Sequence, residues 1–198
     1  MRELLKLSLV LVIICFGAAL SLAYVFNLTK EPIAYQQHLK KIRAINAVFP
    51  AHADAPGLTM VDIPLCEKEQ QCRQFYLIKN NDQVLGTAFE LTAGGYGGTI
   101  SLMVGVDKQQ DITGIKIINH AETPGLGANI TKETFYTQFS KKNLADTTWK
   151  LKKNGGDIDQ VSGATISSTA VMKAVYDGLV FYRGNKEKIL SARPNKEG

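Results

Sequence analysis

The chain has 198 residues, a formal net charge of +5, a pI near 9.0 and 45% hydrophobic residues, which is room for one domain of about 150 residues plus a further element and excludes a disordered chain. The positive charge does not make a nucleic-acid binder of it: Lys40, Lys41, Arg43, Lys141, Lys142, Lys152 and Lys153 stand in short groups separated by acidic or neutral sequence, without a recognition motif. A solvated surface accounts for them.

Residues Leu7 to Phe26 are almost wholly apolar, and about 20 residues at about 1.5 Å each span about 30 Å, the hydrocarbon thickness of a bilayer. A membrane anchor is expected. Ser21-Leu22-Ala23 offers the small residues of a signal-peptidase site as the alternative, but the apolar run passes that point and continues to Phe26. Arg2 and Lys6 precede the span while Lys30, Lys40, Lys41 and Arg43 follow it, so charge alone does not orient it. A short N-terminal tail ahead of a large translocated domain favours a cytoplasmic start and an external domain.

From Ile33 to Phe49, Leu39, Ile42, Ile45 and Phe49 share one helical face, with Pro32 before and Pro50 after. Pro56-Gly57 breaks the structure that follows. Cys15 reads as an apolar side chain within the span, whereas Cys66 and Cys72 bracket the polar loop Glu67 to Gln71. A disulfide there would stabilise the fold by about 2 kcal/mol in the chain-entropy model; two unrelated thiols, or a metal pair lacking further ligands, are the other readings. His38, His52 and His120 show no metal-ligand spacing, and no metal site is expected.

Beyond Arg73 the pattern changes to period two. Phe75 to Ile78 and Val84 to Leu91 flank the polar turn Asn80-Asn81-Asp82, and Thr99 to Val106 pairs with Ile112 to Ile118 around Lys108-Gln109-Gln110. Between the hairpins lies Gly94-Gly95-Tyr96-Gly97-Gly98, either a flexible connection or a loop that exposes the Tyr96 ring to a ligand. After the second hairpin, Glu122-Thr123-Pro124-Gly125-Leu126-Gly127 places proline and glycine at the second and third positions of a type II turn. His120 beside Glu122 could form an acid–base pair, to which no catalysis is assigned. Thr131 to Ser140 predicts a short helix, Trp149 to Leu151 another strand, with Trp149 in the core. The fold class is α+β: an N-terminal transmembrane helix, then an antiparallel sheet with flanking helices. Domains are expected at 1–27 (anchor), 28–72 (helical connector and loop) and 73–198.

The most telling stretch is Ser162-Gly163-Ala164-Thr165-Ile166-Ser167-Ser168. It sets a threonine hydroxyl on a glycine-loosened loop ahead of a helix whose buried face is Val171, Ala174, Val175, Leu179 and Tyr182. Ser167 or Ser168 can cap its start and Gly184 can end it. A helix N-terminus holds anions through free N–H groups and its dipole.

Three runs, Gly94 to Asp107, His120 to Gly127 and Trp149 to Ser168, together resemble the FMN-binding G subunit of the Rnf ion-translocating oxidoreductase. The resemblance covers most of the soluble part and the membrane helix. It implies FMN joined through a phosphoester to Thr165, within Ser162, Gly163, Ala164 and Thr165, by a separate flavin transferase that uses FAD. It also implies flavin contacts from Glu122, Thr123, Gly125, Leu126 and Tyr96. Lys152, Lys153 and Asn154 to Asp157 are candidates to close the phosphate side, with a surface turn as the simpler account, and Asp159 and Gln160 to orient the modified loop or to meet the transferase's metal during attachment. No catalytic residue is expected, because the chain would be the electron-transferring subunit of a redox-driven ion translocase and not catalytic alone. Its partners would be the other subunits of the Rnf complex, coupling ferredoxin and NAD oxidoreduction to ion movement. Its place would be the bacterial inner membrane, single-pass, with the soluble domain outside. Two alternatives stand beside this: the C subunit of the sodium-translocating NADH:quinone reductase, and a structural or assembly subunit that is never modified.

Overall fold

A computed structural model describes residues 2–49, 58–66, 72–80 and 83–191, with the backbone alone for 3–5, 58–66, 72, 73 and 80. The chain forms two compact units, Met1–Lys40 and Lys41–Gly198. The first is a single stretch of helix α1 (Arg2–Val48), 47 residues long. Its side chains from Leu7 to Leu28 stand exposed, and its length and apolar composition are enough to cross a membrane.

The helix expected from Ile33 is not separate. α1 runs through Pro32 without a break. Proline removes one N–H and crowds the preceding turn, yet its φ is helical, and the hydrogen-bond ladder resumes on both sides. The residues from Lys41 on, within the second unit, bury Ala44, Ile45, Val48 and Phe49 and leave Ile42 half-buried.

The second unit is built on five strands: β1 (Leu58–Cys66), β2 (Cys72–Asn80), β3 (Gln83–Gly94), β4 (Thr99–Asp107) and β5 (Ile112–His120). They form an antiparallel meander in chain order. Both expected hairpins are present, as β2–β3 and β4–β5. β1 lies within 28–72, the stretch read as connector. Its register sets Cys66 opposite Cys72; the two thiols, like Pro56-Gly57 and the turn residues Asn81 and Asp82, lie outside the described residues.

After β5 come 3-10 turns at Gly127–Thr131 and Thr137–Phe139 around the short helix α2 (Glu133–Tyr136), then the long helix α3 (Thr165–Ser191). The expected strand at Trp149 reduces to one bridge between Leu151 and Ile158, because a 3-10 turn at Lys152–Asn154 takes the chain away at once. Trp149 is half-buried, its Nε1 donating to the Asn143 carbonyl at 3.1 Å.

Period-two alternation gives the sheet two apolar faces. Phe75, Leu77, Phe89, Leu91, Leu102 and Val104 meet Val171, Val175, Leu179 and Tyr182 of α3. Ile78, Ala88 and Met103 meet the end of α1. Gly178 allows the first contact to be close: a Cβ there would lie 2.5 Å from Leu91 Cδ1. α3 therefore lies against the sheet with its N-terminus held at a defined place.

Candidate functional site

Helix α3 begins earlier and ends later than its sequence signals suggest. Thr165 is its first residue, and Gly184 lies inside it, seven residues before its end at Ser191. Ser167 and Ser168 are not caps but buried residues of the first turn. Ser168 Oγ accepts the Val161 N–H at 3.0 Å and donates to the Ala164 carbonyl at 2.9 Å, tying the preceding loop to the helix. That loop is a tight turn: Ala164 N–H donates to the Val161 carbonyl at 3.0 Å, and Gly163 takes φ +72° at the third position. Only glycine accepts that angle freely. The free N–H groups at this helix end are by geometry those of Thr165, Ile166 and Ser167, three residues upstream of where a Ser167 cap would have put them.

Thr165 Oγ1 donates to Gln160 Oε1 at 3.2 Å and accepts from Lys153 Nζ at 3.4 Å. The hydroxyl thus sits among an amide, an ammonium and the positive end of a 27-residue helix. Lys152 is engaged elsewhere, paired with Asp159 at 2.5 Å. Asp159 is also fixed through its backbone, its N–H donating to Gln138 Oε1 at 2.6 Å.

The other two motifs close on the same spot. Leu126 N–H donates to the Thr123 carbonyl at 3.3 Å across Pro124 and Gly125, whose φ is +78°, so the expected turn is in place. Gly95 N–H donates to the Gly98 carbonyl at 2.8 Å, curling the glycine-rich loop so that Tyr96 projects. Tyr96, Glu122, Thr123, Leu126, Gly127 and residues 163–167 enclose a cavity of about 450 Å³. Tyr96, Leu126 and Ile166 are 75%, 52% and 55% exposed around it. Such exposure is unusual for three large apolar side chains on one rim and suits a flat apolar ligand.

Seven residues singled out from the sequence line this cavity: Tyr96, Glu122, Thr123, Leu126, Gly163, Ala164 and Thr165. Gly125 shapes the turn without lining it. Ser162 faces a neighbouring polar cavity of about 480 Å³ with Asn129, Lys132, Gln138, Asp159 and Gln160. Sequence reasoning missed Gly127, Ile166 and Ser167 as lining residues, although all three fall inside the same motifs. His120 and Glu122 form no acid–base pair: His120 Nδ1 accepts the Glu122 backbone N–H at 3.2 Å.

Residues 95–180 match the model of the FMN-binding domain family. The G subunit of the ion-translocating oxidoreductase complex of Aliivibrio fischeri is 34% identical over 97% of this chain and 96% of its own length. The chain belongs to the G-subunit family of ion-translocating oxidoreductase complexes. The corresponding G subunit of Cereibacter sphaeroides is 31% identical, covering 89% of this chain and 83% of that protein. Among solved structures, the C subunit of the Na(+)-translocating NADH-quinone reductase from Parabacteroides distasonis matches with a TM-score of 0.58 at 19% identity, over 80% of this chain and 94% of that one. That is a likeness of fold.

FMN, the ligand of this domain family, fits what this G subunit presents. The volume lies within the usual range for small-molecule sites, about 300–1,000 Å³. Exposed apolar side chains stand where a planar ring system would shed water, and the end of α3 with Lys153 offers donors and positive charge to a phosphate.

Proposed function

We propose that this G subunit carries FMN as a phosphoester on Thr165 Oγ1 and passes electrons within a membrane complex that couples ferredoxin and NAD oxidoreduction to ion translocation. The observation that carries the reading is the convergence of three motifs, spread over 72 residues from Tyr96 to Ser167, around one hydroxyl-bearing cavity. When bound, FMN supplies the redox chemistry, and the protein supplies placement and electrostatics.

Attachment is a group transfer. Thr165 Oγ1 forms a bond to the phosphorus of the FMN half of FAD, the pyrophosphate bond breaks, AMP leaves, and the hydroxyl proton passes to a base on the flavin transferase. Threonine has no useful acidity of its own, so base and metal belong to the transferase. What this chain provides is access: Thr165 is half-buried at the start of α3, its hydroxyl held by Gln160 and Lys153. In the product the phosphate would face Lys153 and the first N–H groups of α3. We place α1 across the inner membrane with its N-terminus in the cytoplasm and the flavin-bearing domain outside, where a covalent link prevents loss of the cofactor.

The test is expression of the full chain with and without a flavin transferase, as wild type and as Thr165→Ala, followed by in-gel fluorescence after denaturation. A fluorescent band is expected only for wild type with the transferase. A glowing alanine variant would overturn the attachment site. A chain isolated from native membranes with no added mass would favour an unmodified assembly subunit.

A further inference from the structure

Glu122 is the one buried carboxylate among the described residues, 5% exposed, and it stands in the cavity wall. Its two oxygens reach different parts of the chain. Oε1 accepts the Gly97 N–H at 3.1 Å, across 25 residues, and Oε2 accepts the Ser167 hydroxyl at 2.6 Å, across 45. Ser167 is itself 1% exposed. The space is cut to the carboxylate, since a Cβ at Gly95 or Gly127 would collide with it. Both partners donate, as a carboxylate requires. Among the described residues no basic side chain pairs with it.

We propose that Glu122 is the positioning residue of the cofactor site. Its carboxylate clasps the glycine-rich loop and the Thr123–Gly127 turn to the first turn of α3, and it keeps a negative charge in the cavity wall that lowers the reduction potential of the attached flavin. The second half of this statement rests on the reading of Thr165 as the attachment point; the first half does not. A negative charge fixed beside a cofactor disfavours the form that has gained an electron, and a water-poor wall screens it weakly. The clasp acts without touching Thr165 Oγ1, whose contacts are Gln160 and Lys153.

The experiment uses the full chain in detergent as wild type, Glu122→Gln, Ser167→Ala and the double variant. Without flavin, two readouts address the clasp: amide exchange at Gly97 and a double-mutant cycle of thermal unfolding. Faster Gly97 exchange in Glu122→Gln and a non-additive cycle are expected. Unchanged exchange with additive effects would overturn the clasp. With the flavin attached, redox titration should show the midpoint of Glu122→Gln shifted upward from wild type, while Ser167→Ala, which keeps the charge, shifts less. Equal midpoints in folded protein, checked by circular dichroism, would overturn the electrostatic half. A wild type that takes up no flavin would count against the Thr165 reading and leave the clasp to the first two readouts.

Discussion

Gly163 is where backbone geometry and proposed function meet most directly. Its φ of +72° lies in the left-handed region, which costs a residue with a Cβ about 1–2 kcal/mol. The added methyl would lie 3.0 Å from Leu126 Cδ2, but Leu126 is 52% exposed and can swing aside, so the contact adds little. The backbone effect therefore dominates. Gly163→Ala should lower the Tm of the full chain in detergent by about 2–8 °C, at about 2–4 °C per kcal/mol for a domain of this size. Gly125→Ala is the matched comparison, with φ +78° and nothing within 4 Å of its would-be Cβ, and should cost a similar amount. Gly163→Asn should lose less, since asparagine tolerates the left-handed region. Scanning calorimetry of the three variants decides it, and flavin attachment by Gly163→Ala should slow as the turn carrying Thr165 shifts. An alanine variant that melts with wild type would refute the reasoning, because the turn would then not need its positive φ.

Two further outcomes follow from the packing of α3. Ser168→Ala removes the acceptor of the half-buried Val161 N–H, a loss of about 0.5–1.5 kcal/mol; chemical denaturation should report it, and an unchanged midpoint would mean the loop is held by something else. Burial pushes the Tyr182 phenol above its ordinary value of 10.0, against the opposing effect of its contact with Thr87. The folded state thus holds that proton more tightly than the unfolded one, so the contribution is intact below pH 10 and is lost as pH rises through the folded value. Relative to Tyr182→Phe, wild type should lose stability progressively above pH 10, and a difference in Tm that stays flat from pH 8 to 12 would contradict this.

The two hairpins and the buried stripe of α3 were legible because each is a repeat of one side-chain period over a few turns or pleats. The errors have local causes too. Pro32 looks like a boundary because proline disfavours helix interiors, yet one missing hydrogen bond does not end a 47-residue helix. Ser167 and Ser168 look like caps because serine prefers that place, but their hydroxyls are drawn inward by Glu122 and by the Val161 N–H. Gly184 looks like a stop, whereas the helix continues to Ser191. β1 escaped the sequence reading, in a stretch interrupted by Pro64 and ending on Cys66, which mask its alternation.

From residue order alone came the apolar span, the α+β class and the motifs that mark the family, since spacing along the chain decides each of these. Which motif residues share a cavity was decided by the folded path. Ser167 and Glu122 are 45 residues apart in the chain and 2.6 Å apart in space. No local pattern records that approach, because a contact between distant segments depends on how the sheet and helices between them pack.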